Sequence, residues 1–414
     1  MLRMSETAAV DEQAMQHMLT SQCVDWSGLS RAVAGEVDEL LGGQESVLLI
    51  DESAVAKKGR ASAGVARQWN GRLGKVDNSQ VGVYVALCRG EMASLFSARL
   101  YLPQSWVSDA KRCERAAIPE AERVYRSKST LALEMVDEVD RNGVRYGFIA
   151  VDGGYGKEPA FLRALDARGK PFVADVHKDQ CVYLTDPQPA VPGRTGRGRK
   201  PSRPVTEAVP IRVDAWAAAQ PPSAWQRLSL REGEKGEIRA EYLHAQVWLW
   251  NGKEAQAHPW HLMVRREPGA STPSHYCLSN AAQDIGLAAL ARVQGQRFFI
   301  EHTFREAKSE CAMADYQVRR WDAWHHHMAL VMLAVLFLIK QKVTHRETWP
   351  MLSLNDLVTA IAHMLPKRQM GASELAGVIE RRHRNRAAAK HAHRRRQSRS
   401  DSAWAQPAAS GFEI

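Results

Sequence analysis

The pattern of apolar and polar positions turns from short amphipathic stretches to sheet near residue 47. The first 45 residues read as short helices, with Ser27 placed to cap a helix over Leu29 to Leu41. Val47-Leu48-Leu49-Ile50 is a continuous apolar run that stops at Asp51, the pattern of a strand covered on both faces. Gln80 to Cys88 and Ala93 to Leu102 predict two further strands, and Arg89-Gly90-Glu91 between them has hairpin length. Ser129 to Asp140 predicts a helix capped by Ser129 and ended by Asn142-Gly143. Tyr146 to Val151 is a strand running into Asp152, Pro159 to Arg168 a helix closed by Gly169, and Pro171 to Val176 another buried strand. The alternation predicts an α/β domain in which two strands each deliver an aspartate at the carboxyl end.

From 177 to 290 the pattern changes. Pro, Gly and Arg dominate 187–204, which reads as a disordered basic loop. Ala240 to Trp250 then alternates, with Leu243, Ala245, Val247 and Leu249 on one face and Tyr242, His244, Gln246, Trp248 and Trp250 on the other. Asn251-Gly252 marks a turn and His261 to Val264 a returning strand, so this region predicts a β-rich insertion. Helix resumes near Ala281, runs through Glu301 to Lys340, and returns over Leu354 to Met364.

Composition narrows the classes. With 45% hydrophobic and 25% charged residues, the 414-residue chain cannot be disordered as a whole. The longest apolar run, Met328 to Ile339, is 12 residues, short of the roughly 18 a crossing helix needs, and the start has no secretory signal pattern. The six scattered cysteines fit reduced thiols of a cytoplasmic protein. The net charge of +10 is uneven: Arg381 to Arg399 carries nine Lys/Arg and 193–204 carries five, neither with an acid, which leaves the remainder at −4. Arg194, Arg197, Arg199 and Lys200 in the loop, and Arg381, Arg382, Arg394, Arg395 and Arg396 in the tail, are therefore candidate contacts to a polyanion, most simply nucleic acid. A solubilising tail is the plainer alternative.

Asp51 and Asp152 are the first chemical candidates, because carboxylates at neighbouring strand ends suit Mg²⁺ or Mn²⁺. Either alone is an ordinary turn residue, and Glu52, Asp77 and Asp109 are rival acids. Arg297, Glu301, Arg305 and Lys308 share one face of a helix. That face suits a metal ligand that must also hold a phosphodiester, although an exposed salt-bridge ladder is the commoner meaning of the spacing. His325-His326-His327 cannot converge on one ion from successive helical positions and reads as flanking the apolar helix after it. Gly153-Gly154-Tyr155-Gly156 lacks the spacing of a phosphate loop. Trp248 or Trp250 is either a core residue or a stacking surface for an unpaired base.

Several blocks resemble the DDE transposases of bacterial insertion sequences, in the branch with a YREK signature and a β insertion before the Glu. They are Asp51-Glu52-Ser53, Lys57-Lys58-Gly59, Gly64-Val65-Ala66-Arg67-Gln68 and Gly74-Lys75-Val76-Asp77-Asn78. Arg99-Leu100-Tyr101-Leu102-Pro103, Val151-Asp152-Gly153-Gly154-Tyr155-Gly156, Ile300-Glu301 to Lys308 and Tyr316-Gln317-Val318-Arg319 continue the likeness in collinear order. The resemblance implies an RNase H-like mixed-sheet core interrupted by a β-rich insertion, with small helical ends. It implies a catalytic and metal-binding triad of Asp51, Asp152 and Glu301 holding two Mg²⁺ or Mn²⁺ ions. Y-x2-R-x3-E-x6-K maps its R, E and K onto Arg297, Glu301 and Lys308; its aromatic position is Gln294 here, so DNA contacts are expected from Gln294, Arg297, Arg305 and Lys308.

The organisation expected is 1–45 as the remnant of a helical DNA-binding region, 46–176 and 291–340 as the two parts of the core, and 177–290 as the insertion. A helical region at 341–380 and a basic, disordered tail at 381–414 complete it. The implied activity is cut-and-paste transposition on double-stranded DNA, by a dimer assembled on the element ends, in the cytoplasm and away from membranes. A DNA-binding remnant of a transposase, or a nuclease of the same fold without strand transfer, are the alternatives.

Overall fold

The β-branched and leucine-rich run at residue 47 forms the centre of a large mixed sheet. The computed structural model describes residues 11–20, 25–193, 201–233, 236–316, 319–364 and 371–404. In chain order the main elements begin with helices α1 (Glu12–Thr20) and α2 (Trp26–Leu41). Strands β1 (Val47–Ala56), β2 (Ala66–Asn70), β3 (Lys75–Arg89) and β4 (Met92–Leu100) follow. Next come α3 (Lys128–Arg141), β5 (Phe148–Val151), α4 (Pro159–Ala167), β6 (Phe172–Val176), β7 (Cys181–Val182) and β8 (Ile211–Arg212). Strands β9 (Gln226–Gly233), β10 (Gly236–Leu249), β11 (His258–Arg266) and β12 (His275–Ser279) lead into α5 (Leu287–Gln296) and α6 (Phe298–Glu310). The order closes with α7 (Trp321–Thr344), α8 (Leu354–Met364) and α9 (Ala372–Trp404).

The sheet runs β2-β3-β1-β5-β6-β12-β11-β10-β9, with β4 on the rest of the β3 edge that β2 leaves free. β1, β5 and β6 are parallel and every other pairing in it is antiparallel. Val47 to Ile50 and Phe172 to Val176 are buried at every position, so both faces of these strands are covered. Helices α2, α6 and α7 pack on β4, while α3 packs on α4 and β3.

Several expectations are corrected. β1 does not stop at Asp51: β3 offers a partner as far as Ala56↔Ser79, so pairing continues past the acid. The strand β2 escapes the pattern because Ala66-Arg67-Gln68-Trp69-Asn70 is nearly polar throughout. Asp25 and Ser127, rather than Ser27 and Ser129, cap α2 and α3, with side chains accepting from the backbone N–H of Gly28 and Thr130. The β-rich region supplies β9 to β12, and β12 pairs with β6, so these strands carry the core sheet on. α2 buries Val33, Ala34, Val37 and Leu41 in the main core, so the boundary expected at 45 cuts through packed structure. The tail expected to be disordered is helical to Trp404; its Ala, Arg, Lys and Gln residues are strong helix formers even without an apolar face. The helical region expected from near Ala281 to Lys340 holds three helices, with one junction at Arg297 and another after Glu310.

Residues 16–362 form one compact unit, and 1–15 with 363–414 a second. α7 is 24 residues long, so by length and composition it could cross a bilayer, contrary to the 12-residue apolar run. Met328, Ala329, Val331, Met332, Val335, Leu336, Leu338 and Ile339 are instead buried within the protein, as in a core helix. Cys88, Cys113, Cys181, Cys277 and Cys311 are all unpaired.

Backbone crowding near the aspartates predicts a pair of opposite effects. A Cβ on Gly156 would lie 1.9 Å from the Asp175 carbonyl oxygen, whereas one on Gly35, exposed in mid-α2, meets nothing within 4 Å. Gly156→Ala should destabilise by about 3 kcal/mol, and Gly35→Ala should stabilise by about 0.5–1 kcal/mol. Urea unfolding midpoints check both.

Candidate active site

Parallel pairing of β1 with β5 matches Ile50 to Val151, so the next residues on each chain, Asp51 and Asp152, stand side by side at the strand spacing of about 4.8 Å. Beyond that point the chains part. Asp51 continues along β3 opposite Tyr84, and Asp152 caps the helical turn 153–156. Its Oδ1 accepts from Gly154 N at 2.9 Å and Tyr155 N at 3.3 Å, while Asp51 Oδ1 accepts from Glu52 N at 2.6 Å. The glycine-rich stretch after the strand is therefore the turn that holds Asp152.

Burial pushes the Asp51 carboxyl up to about 8, and the charges of Asp152 and Glu301 push in the same direction; Glu52 N–H and Arg297 oppose them. Asp152 is raised too, by burial first and by Glu52, against the pull of Arg297 and its two backbone donors. Two desolvated carboxylates without matching positive charge are a donor set suited to a hard divalent cation.

The α5–α6 junction supplies the counter-charge. Arg297 has helical backbone angles there and a largely buried side chain. Its Nε lies 3.0 Å from Asp175 Oδ2 and its Nη1 3.0 Å from Glu301 Oε1. Burial disfavours its charge, yet Asp175, Glu301, Asp51 and Asp152 together hold its pKa above the usual value. Asp175 escaped the sequence reading. It lies on β6, beside β5, and its Oδ1 accepts from Cys277 Sγ at 3.0 Å. The available signal was an acid in the buried run Phe172 to Val176, where only a paired charge is tolerated.

Glu301 is exposed on α6 and turned onto Arg297, and among the described residues no three His, Cys, Asp or Glu side chains are arranged to hold a metal. Phe299, Ile300, Thr303, Phe304 and Ala307 are buried, which leaves Glu301 and Arg305 exposed and Lys308 half-buried over the Phe304 ring. Burial lowers the Lys308 pKa, with Arg72 adding to the effect and Asp51 opposing it. The face thus reaches Asp51 at one edge.

Other candidates fare differently. Gln294 is a core residue rather than a DNA contact: it is buried, and its Oε1 accepts from Tyr242 Oη and Arg265 Nη1, each at 3.3 Å. Tyr242, assigned to a polar face, is fully buried, since both faces of β10 are covered near it. Trp248 and Trp250 are half-buried; Trp248 is bridged through its backbone to Tyr183, and Trp250 Nε1 donates to Glu254 O of its own turn at 2.8 Å. The histidine run lies inside α7 rather than flanking it. His325 packs among Trp26, Trp321 and Trp324 and burial pushes it down to about 3, so it is neutral. Arg194, Arg197, Arg199 and Lys200 lie outside the described residues, as does the side chain of Arg396. Arg381, Arg394 and Arg395 are exposed on α9 and Arg382 is half-buried there.

Residues 1–237 match the family described as DDE superfamily endonuclease, a span that includes Asp51 and Asp152 and ends before Glu301. The chain is 26% identical over 177 residues to the probable transposase for insertion sequence element IS701 of Microchaete diplosiphon, an alignment covering 42% of this chain and 43% of that relative. Among solved structures, the NurA nuclease from Sulfolobus solfataricus aligns over 81% of this chain and 98% of its own at 7% identity. Its TM-score of 0.25 is too low to bear on the fold.

The crowded carboxylates predict a pH signature in metal-free protein. A carboxyl raised on folding stabilises while protonated, and that contribution is lost as pH rises from its unfolded value near 4 through about 8. Between pH 5 and pH 8.5 the wild type should lose stability relative to Asp51→Asn, and Mg²⁺ should narrow the gap. Parallel melting curves of the two proteins check it.

Proposed function

Because the chain belongs to the DDE superfamily endonuclease family, we propose that it is a transposase, cutting double-stranded DNA at the ends of a mobile element and joining them to a target. The observation that carries this is the register that sets Asp51 beside Asp152, with Arg297 opposing their charge. The order β4-β3-β1-β5-β6, antiparallel and then parallel, supports reading this part of the sheet as an RNase H-like core, with β9 to β12 as an insertion extending it. Two copies assembled on DNA would each present one such site.

Asp51, Asp152 and Glu301 would hold Mg²⁺ or Mn²⁺, which when bound supply charge to activate the attacking oxygen and stabilise the leaving one. The chain's own groups do the rest. Backbone N–H groups at Glu52, Gly154 and Tyr155 fix one oxygen of each aspartate. Arg297 offsets their charge and holds Glu301 at the rim, while Lys308 and Arg305 supply positive charge for a phosphodiester lying along α6. Asp175 anchors Arg297 from behind, a positioning role.

Asp51→Asn, Asp152→Asn and Glu301→Gln should each abolish Mg²⁺-dependent cleavage of DNA carrying the native flanks while binding survives. Their effects should be non-additive, since the three act as one site. Retained cleavage in Asp51→Asn would overturn the assignment, and a dead Glu306→Gln beside an active Glu301→Gln would move the third ligand by five residues along the helix. For the tail, deleting 381–414 should shallow the slope of log K against log salt by roughly four if about half of its nine cations meet phosphates. Sequence discrimination should hardly change.

A further inference from the structure

Between Ser53 and Val76 the chain carries six cations, Lys57, Lys58, Arg60, Arg67, Arg72 and Lys75, and no acid. Much of this segment is the hairpin β2–β3 at the outer end of the sheet, where β2 is an edge strand paired from Ala66↔Ser79 to Asn70↔Lys75. Its inner side is fastened. Gln68 Nε2 donates to Gly64 O at 3.1 Å and Ser79 O at 2.9 Å, and Asn70 Nδ2 to Ser79 Oγ at 3.0 Å. The preceding loop is anchored by buried Ala63 and Val65 and by Arg112 Nη2, which donates to Arg60 O at 3.0 Å. Asp77, the nearest acid, is engaged by Lys75 at 3.6 Å.

The outer side is another surface. Trp69 is 54% exposed, its cross-strand neighbour Val76 49%, and Leu73 at the tip 43%. Arg67 shares that face two residues before Trp69, and Arg72 projects from the tip. A rigid edge that leaves a tryptophan in water among cations is not built for burial in its own core. Cations interleaved with an exposed aromatic ring match a nucleic-acid strand, with phosphates for the cations and a sugar or base for the ring. Arg72 at the hairpin tip and Asp51 of the candidate site both act on the charge of Lys308.

We propose that the β2–β3 hairpin grips the DNA flank beside the scissile phosphate, with Arg67 and Arg72 on the backbone and Trp69 packed against the strand. The proposal rests on the transposase reading for the identity of the site beside it. It is tested on the full chain in EDTA, with a fluorescent duplex of arbitrary sequence titrated at several salt concentrations. Replacing Arg67 and Arg72 together by Ala should shallow the salt slope by about two, at about 0.9 per phosphate lost. Trp69→Ala should weaken binding at fixed salt by about tenfold. Binding like wild type in both variants at every salt would overturn the proposal. So would a DNA-free dimer that Trp69→Ala converts to monomer in sedimentation, since the edge would then be a protein interface. Weakened binding by both variants, in a wild type that binds but does not cut with Mg²⁺, would sustain the hairpin's role while refuting the transposase reading.

Discussion

Two carboxylates kept beside one another and away from water repel, and the centre of this protein is arranged around that repulsion. Parallel pairing of β1 with β5 up to Ile50↔Val151 brings Asp51 and Asp152 next to one another, close enough for the charge of Asp152 to act on Asp51. Neither is neutralised by a full salt bridge of its own: Arg297 makes its close contacts to Asp175 and Glu301 and reaches the pair only through its field. A fold with no use for this arrangement would be more stable with one of the acids replaced. The residual charge is what a divalent cation would complement, and the same reasoning assigns Asp175 a purpose, since a buried arginine needs a buried partner.

The sheet explains how so strained a pair is held. Its central strands are covered on both faces, and α7, with a long buried apolar side, packs against β4 and α2. Gly156 lies against the backbone of Asp175, so the turn that Asp152 caps is fitted closely to the next strand. Precision at Asp152 comes from packing four residues away. α6 presents Glu301 and Arg305 on its exposed side.

What could be read without coordinates followed from periodicity. Val47 to Ile50, Tyr146 to Val151 and Pro171 to Val176 announced strands because, Asp175 apart, they are largely apolar at consecutive positions. Asp51 and Asp152 were visible as acids following such runs. Asp175 was not, because its partners lie at Arg297 and Cys277, more than a hundred residues away. Gln294 was misplaced for a related reason: a signature position says where a residue stands on a helix, not that Tyr242 and Arg265 of distant strands have claimed it. The hairpin went unnoticed because alternation needs apolar residues, and β2 has few. The continuation of the sheet from β6 into β12 is set by long-range pairing that no local pattern encodes.

The central claim is that Asp51 and Asp152 form a cation site whose charge is suppressed until a metal arrives. Calorimetric titration of Mn²⁺ into the protein at pH 7, repeated in buffers of different ionisation enthalpy, tests it most directly. With Asp51 raised to about 8, binding should release close to one proton, and both binding and release should vanish in Asp51→Asn. Binding that is independent of buffer and unchanged in Asp51→Asn would contradict the account.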